Sequence, residues 1–526
     1  MSTPSPEPRP GHHGPKDGPK DGHRNPHVWV SSTYFGQGFP YAVVNNMAEI
    51  LFKELGASLQ VIGLTSLFHL PWNLKFLWGP LVDGFESKRR WLLATEWIIV
   101  ALLVALALLV AGGGQAMAPI ALGFLVLGLL SATHDIAIDG YYLEALDEVE
   151  QSRFVGNRVS AYKVAVLVVG GPLVALCALV GWTVGLALTA LIMAGLATYH
   201  LFFLPPVETP RRPWTALAAA VFSPRALPLF AAALLLVVLE LRWAVGTSLQ
   251  FWFRDLPWVG GLSAGGWIGL TLLLGLGLTA AVTPALVRRL KQKPKQERSD
   301  YVANFVSFLE QPKVGLILGF VLLFRTGESF LHKMRWPFLD DVVGLPLEVY
   351  GVASGTIGVL ASFAAILIGG RLIARDGLRK WIWPFVLAQN ILNLLYMGVA
   401  ALPDPMLLGA HADGSLLGWL PVTVLITLES AGAGLGTAVF MVYLMRTCDP
   451  AHKAGHMAIV TALMSVSFTL AGVFSGYLVE EIGFESYFGF TFLATIPGML
   501  LIFFIPYLDG RTLPSDSPDS PDSPEQ

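Results

Sequence analysis

Charge is what this sequence has least of. Across 526 residues only 13% are Asp, Glu, Lys or Arg, where an ordinary soluble domain carries about 25%. That scarcity, beside 54% apolar residues, excludes most soluble enzymes. Cysteine is nearly absent too: Cys177 falls in an apolar run and Cys448 in a short polar loop, so no disulfide framework is available and both read as packing residues with inert thiols. Soluble-type catalytic signatures are missing. There is no Gly-x4-Gly-Lys-Ser/Thr phosphate loop, no His-Glu-x-x-His zinc helix and no Gly-x-Ser-x-Gly elbow. ATP is therefore not expected as a direct energy source, and the sequence calls for no cofactor, no metal and no enzymatic activity. Gly432-Ala-Gly434-Leu-Gly436 has a dinucleotide-loop look but sits in an apolar helix with no strand before it, where helix packing explains it. A net charge of −3 gives no bias toward nucleic acid, and no nucleic-acid partner is expected.

Long apolar runs are what the sequence does have. They place fourteen spans at about 29–52, 58–82, 91–112, 117–142, 158–180, 183–204, 226–249, 266–287, 314–335, 349–370, 381–402, 419–443, 456–478 and 486–508. At about 20 residues per crossing, fourteen spans need about 280 residues, which the length accommodates. The expectation is an all-α integral membrane protein. The tails, 1–28 and 509–526, are rich in Pro, Gly, Ser, Asp and Lys and offer no apolar surface, so both are expected to be disordered. The histidines of the first tail, His12, His13, His23 and His27, lack metal-ligand spacing. The first 28 residues show no apolar core with a cleavage site, so the first span is expected to be retained.

Basic residues set the orientation. Of the 34 Lys and Arg residues, Lys75, Lys163, Arg242 and Arg325 fall inside spans, and Lys53, Arg254, Lys333 and Arg335 on one face. All the others lie on the opposite face, in clusters such as Lys88-Arg89-Arg90, Arg288 to Arg298 and Arg371 to Lys380. Because basic loops resist translocation, that face and both termini are expected to be cytoplasmic.

One cytoplasmic loop repeats. Gly79-Pro-Leu-Val-Asp83-Gly-Phe-Glu-Ser-Lys-Arg89-Arg90-Trp91 is echoed by Gly370-Arg-Leu-Ile-Ala-Arg-Asp376-Gly-Leu-Arg379-Lys-Trp381. Each copy has a glycine suited to close helix approach, an Asp at the helix end and a basic cluster. The pair resembles the cytoplasmic loop motif of the major facilitator superfamily. It divides the chain into six-helix halves at 29–204 and 313–508, with a substrate path between them near the bilayer midplane. Between the halves, 205–312 adds two spans and, around Tyr301 to Leu309, a helix expected to lie on the membrane surface.

Ionisable residues within spans cost roughly 2.5–3.5 kcal/mol each at a helix centre and therefore mark function or a partner. Asp135 and Asp139, four apart, share one helix face, and their repulsion suits a proton-accepting pair. Lys75 falls at comparable depth and is placed to neutralise one of them. Arg325, near the middle of its span, is a candidate for gripping a substrate carboxylate or phosphate, with Glu328 one turn away as its alternative internal partner. Glu429 joins Asp135, Asp139 and Glu328 as a proton-coupling candidate. Gln37, Tyr41, Asn45 and Trp72 join Lys75 and Arg325 as candidate cavity-lining, substrate-binding residues. Glu49 of the first span is read either as a further cavity-lining group or as a residue at the outer interface, and Glu96, Glu240 and Arg242 are read as packing or interface charges.

Four stretches carry a closer resemblance: Lys75-Phe-Leu-Trp78-Gly-Pro80-Leu-Val-Asp83, Ser131-Ala-Thr-His-Asp135-Ile-Ala-Ile-Asp139, Phe324-Arg-Thr-Gly327-Glu328 and Glu429-Ser-Ala-Gly-Ala-Gly434-Leu-Gly436-Thr-Ala. They resemble the anhydromuropeptide permease branch of the superfamily and, more distantly, the related acetyl-CoA transporters. The resemblance implies proton-driven import of N-acetylglucosaminyl-anhydromuramyl peptides across the bacterial inner membrane, with Lys75, Asp135, Asp139, Glu328 and Glu429 at the family's polar positions. Arg325 stands where the family would have Lys, Tyr141 where Trp is common, and the two spans in 205–312 have no counterpart. The expected partners are the lipid bilayer, a small anionic solute and protons, and the expected state is a monomer. The alternative within transport is another anionic metabolite, such as a CoA thioester or a peptide. Outside transport stand a receptor, which should carry a large soluble region, and a membrane-embedded enzyme, which should carry a nucleophile–base set. The sequence has neither.

Overall fold

The first helix is started by its own side chains: Asn25 Oδ1 accepts from His27 N at 3.0 Å and Pro26 opens the first turn. Ser87 does the same for Lys88–Val110, accepting from Arg90 N at 3.3 Å. Asp147 and Glu150 form a reciprocal capping box at the head of Glu148–Val168. The computed structural model describes residues 25–75, 78–112, 117–206, 211–221, 288, 306–409, 418–449 and 453–509. The two central spans, the surface stretch before 306 and the two tails beyond 25 and 509 lie outside the described residues. Among those described, 9 helices are long and apolar enough to cross a membrane. One of them, Ile459–Leu501, turns at Gly483 (φ +73°). Its two limbs meet through Tyr487 OH, which donates to Ser475 Oγ at 2.8 Å.

Several spans are interrupted near their middles. The first passes through a π-helical stretch, Val43–Met47, before Ala48–Glu54. The second runs as Leu59–Leu64, a 3₁₀ turn Thr65–His69 and Leu70–Leu74. π-helical stretches also occupy Val169–Leu173 and Gly351–Gly358. Such irregularities leave backbone groups outside the regular ladder and are frequent at functional sites.

The two halves meet on the face opposite the basic loops. There one apolar core is continuous across them, joining Phe52, Phe68 and Phe124 of the first half to Trp336, Phe338 and Phe488 of the second. Toward the basic face this core divides into two separate clusters, one around Trp29, Tyr141 and Phe154, the other around Phe320, Tyr443 and Ile502. Backbones touch at two crossings. A Cβ on Gly355 would lie 1.8 Å from Gly170 O, and one on Gly476 would lie 2.0 Å from Leu59 O, so both crossings exist only because these residues have no side chain. Side chains add Lys53 Nζ to Asp341 Oδ1 at 2.5 Å and Asp340 Oδ2 at 3.0 Å, and Asn73 Nδ2 to Thr469 Oγ1 at 3.0 Å. The halves are thus closed on one face, and the groove between them opens on the basic face.

Candidate functional site

The carboxylate pair lies on the unbroken helix Met117–Ala145, whose regularity keeps Asp135 and Asp139 on one face. Each has its own cation. Asp135 accepts from Lys75 Nζ and from Gln37 Nε2. Asp139 accepts from Tyr34 OH at 2.8 Å and from Arg158 Nη2 at 2.9 Å. The Arg158 guanidinium also lies 4.6 Å above the Tyr34 ring, an arrangement that suits its planar charge. Asp135 is the more enclosed, with a side chain 13% exposed against 36% for Asp139.

Lys75, expected to contact substrate, has its ammonium committed to Asp135. Arg158 is the member of this group that sequence reasoning passed over, since the fifth span was expected to begin there. The helix begins at Glu148 instead, and the Asp147/Glu150 capping signature was the clue to its earlier start.

In the second half the expected ninth span is broken at Arg325, between Val314–Leu323 and Thr326–Asp341. Arg325 Nε donates to Glu328 Oε2 at 2.9 Å and Nη2 to Glu328 Oε1, a bidentate pair. The helix then continues to Asp341 through Pro337, which corrects the placement of Lys333 and Arg335 at the outer face: they are 4% and 6% exposed. Glu49 is likewise buried rather than interfacial. Lys333 Nζ donates to Glu49 Oε2 at 3.1 Å and to Thr65 Oγ1 at 2.6 Å, joining the halves. Glu429 accepts from Arg335 Nη1 at 2.7 Å, and Arg335 Nη2 donates to Ser354 Oγ at 2.7 Å. Glu96, read as a packing or interface charge, is fully buried against His200 Nδ1 at 2.6 Å and His134 Nε2 at 3.4 Å.

Between these charge groups runs an aromatic layer. The Tyr41 ring meets Trp72 edge-on at 5.1 Å, Trp72 stacks on His69 at 5.3 Å, and Phe468 lies 5.7 Å from His69 and 6.0 Å from His332. Asn45 Oδ1 faces His69 Nδ1 at 2.8 Å. Gln37, Tyr41, Asn45 and Trp72 therefore do sit together in the first half, with Phe468 and His332 as their neighbours from the second.

At the loops, Lys88 Nζ donates to Asp83, Arg90 Nη1 to Glu86 Oε2 at 2.8 Å and Arg89 Nη2 to Leu201 O at 3.0 Å. In the second copy Asp376 accepts from Arg375, Lys380 and Trp381, while Arg379 reaches Asp509 at 2.6 Å. Gly79 and Gly370 do not serve close helix approach here: nothing lies within 4 Å of a Cβ added at either, because this is the open face. A polar segment secures the first loop. Arg211 Nη1 donates to Asp83 O at 2.8 Å, Trp214 N donates to Glu86 Oε1 at 3.0 Å, and the Trp214 ring lies 4.3 Å from Trp91.

Comparison with known proteins places this geometry. The Major Facilitator Superfamily sequence profile matches residues 315–525. An uncharacterized protein of Haemophilus influenzae is 26% identical over 484 residues, 90% of this chain and 92% of that protein. The anhydromuropeptide permease of Escherichia coli K12 is 23% identical over 478 residues, 89% of this chain and 77% of the permease. A putative AmpG transporter of Rickettsia felis is 20% identical over 89% of this chain and 93% of its own. Among solved structures, a POT family transporter in complex with 5-aminolevulinic acid superposes with a TM-score of 0.63 at 14% identity, over 93% of this chain and 98% of the other. A nucleoside transporter, NupG, gives 0.51 over 91% and 98% at 14% identity. The chain shares the fold of these solved structures, has 9 helices among the described residues long and apolar enough to cross a membrane, and is similar over residues 315–525 to the major facilitator superfamily. Along most of its length it resembles the anhydromuropeptide permeases.

Proposed function

We propose that the protein is a proton-coupled importer of anhydromuropeptides in a bacterial inner membrane, acting as a monomer, with the basic face and both termini cytoplasmic and with no enzymatic step of its own. The observation that carries the reading is the similarity to the E. coli permease over nine-tenths of the chain, joined to a carboxylate pair within a span, each member held by its own cation. Asp139, the more exposed of the two, is the proton acceptor. When ionised it is held by Arg158 and Tyr34, and protonation removes the charge that holds Arg158 there. A groove open on the basic face with both carboxylates paired is the state that follows release of proton and solute inward. In the opposite state, open outward, Asp139 takes up the next proton. The aromatic faces of Tyr41 and Trp72 suit the apolar faces of sugar rings, while Arg325 lies at the break in its helix and presents remaining N–H donors to an anionic group.

The test is import of labelled anhydromuropeptide by a strain that lacks its own permease. Restored uptake, accompanied by substrate-driven proton influx in vesicles, is the expected result. Absence of uptake with the protein demonstrably in the membrane removes the muropeptide assignment. Uptake without proton movement removes the coupling alone.

A further inference from the structure

Both partners in one backbone crossing between the halves are π-helical: Gly170 lies in Val169–Leu173 and Gly355 in Gly351–Gly358. The wide turn of the first stretch has a local cause. Pro172 inside it has no N–H to give and crowds the carbonyl four residues back, so the regular α ladder does not close there. Gly351–Gly358 contains no proline. It contains three glycines, Gly351, Gly355 and Gly358, and glycine supports helical structure only weakly. Its register is therefore set from outside.

Arg335 of Thr326–Asp341 supplies the contacts. Its Nη2 donates to Ser354 Oγ at 2.7 Å, next to Gly355, and its guanidinium lies 5.9 Å from the ring centre of Tyr350, the residue before the stretch. Its Nη1 donates to Glu429 Oε2 at 2.7 Å. Ser430, which follows Glu429, covers the far end: its Oγ is 2.8 Å from where a Cβ on Gly358 would be. The ion pair thus bears on the start, the middle and the end of the π stretch. Arg335, Ser354 and Glu429 are all buried, and a buried guanidinium held by a carboxylate is costly to displace.

Register matters here because each residue turns a helix by about 100°. A slip of one position replaces Gly355 at the crossing by Ser354 or Thr356. A Cβ on Gly355 would lie 1.8 Å from Gly170 O, so a side chain enters only if the halves move apart.

We propose that Arg335, fixed by Glu429, is a positioning residue: through Ser354 it keeps Gly351–Gly358 in the π register that presents Gly355 to Gly170, and so keeps the closed face shut. The inference goes beyond the importer reading and needs no solute.

Spin labels at Glu54→Cys and Glu348→Cys read the closed face. Both positions are exposed, one at the end of Ala48–Glu54 in the first half and the other in Leu347–Tyr350 in the second. The buried Cys177 and Cys448 are replaced by Ala. Pulsed electron paramagnetic resonance on the full-length protein in nanodiscs, without solute, is expected to give one short distance in this background. Two variants should shift the distribution to longer distances. Ser354→Ala leaves the ion pair whole, and Arg335→Leu combined with Glu429→Leu removes it without leaving a lone charge. An unchanged distribution in Ser354→Ala overturns the inference, whatever the double variant does. Rescue separates register from stability alone. Ile357 stands two residues beyond Gly355 as Pro172 stands two beyond Gly170, so Ile357→Pro alone should keep the short distance and, added to Ser354→Ala, should restore it. A long distance with Ile357→Pro alone, or no restoration, overturns the role of register. Failure of muropeptide uptake bears on none of these distances.

Discussion

Lys333 and Glu49 belong to different halves, and their Nζ and Oε2 atoms lie 3.1 Å apart with both side chains 5% exposed. A pair so enclosed holds the closed face shut through charge that neither member can leave without water or another partner. Truncating one member should therefore do more harm than replacing both. Glu49→Ala is expected to cost about 3–5 kcal/mol, whereas Glu49→Leu combined with Lys333→Met should stay within about 2 kcal/mol of wild type. Reversible unfolding in mixed detergent measures both, and a double variant that loses more than Glu49→Ala would show that leaving Lys333 unpaired carries no penalty of its own.

Asp139→Asn is expected to lower substrate-driven proton influx by at least about tenfold, equivalent to ~1.4 kcal/mol, while substrate exchange at equal concentrations on both sides continues. Arg158→Gln should also weaken coupling, because Asp139 then loses the cation that favours its ionised form. Undiminished influx in Asp139→Asn would remove this residue from the proton path.

The glycine crossings make a steric prediction with an internal control. Gly355→Val puts side-chain atoms where Gly170 O and Gly171 N already are, and overpacking of this kind costs about 1–3 kcal/mol. It is expected to abolish closure on the outer face and with it uptake. Gly370→Ala, with nothing within 4 Å of the added carbon, should transport as wild type. Parallel uptake measurements decide the matter, and a fully active Gly355→Val would mean that the crossing opens without consequence.

On the basic face, the hydrogen bond from Arg90 holds the Glu86 carboxyl below the usual glutamate range. A lowered folded value means that the contribution of Glu86 is complete above the ordinary glutamate value and is lost as pH falls through the lower folded one. Acidification across that window is expected to free Trp214 from Trp91, and Glu86→Gln should do the same at neutral pH. Tryptophan emission reports the separation. A Glu86→Gln spectrum that matches wild type at neutral pH would show that Trp91 and Trp214 hold together unaided.

The helical membrane fold was legible because bilayer crossing demands long apolar runs. The Asp135–Asp139 pair was legible through helical spacing alone. Lys333 and Arg335 were misplaced, and Glu49 left open, for one physical reason: a charge near the end of an apolar run looks interfacial until its counter-charge on another helix is seen, and sequence spacing says nothing about contacts between positions 49 and 333. Arg158 was missed because the polar first turns of its helix hid the helix start. The break at Arg325 also left no local sign, since Thr326-Gly327 is tolerated inside many helices.

The crossing of Gly170 and Gly355 has a mechanical consequence. Most joints between protein domains are studded with side chains that must leave one set of rotamers and find another whenever the parts turn. Here main chain rests on main chain with only the Thr356 and Asn46 side chains beside it, so few rotamers need re-sorting and the joint behaves as a smooth bearing. Turnover would then be governed by the charge pairs that latch and release, and not by friction at the axle.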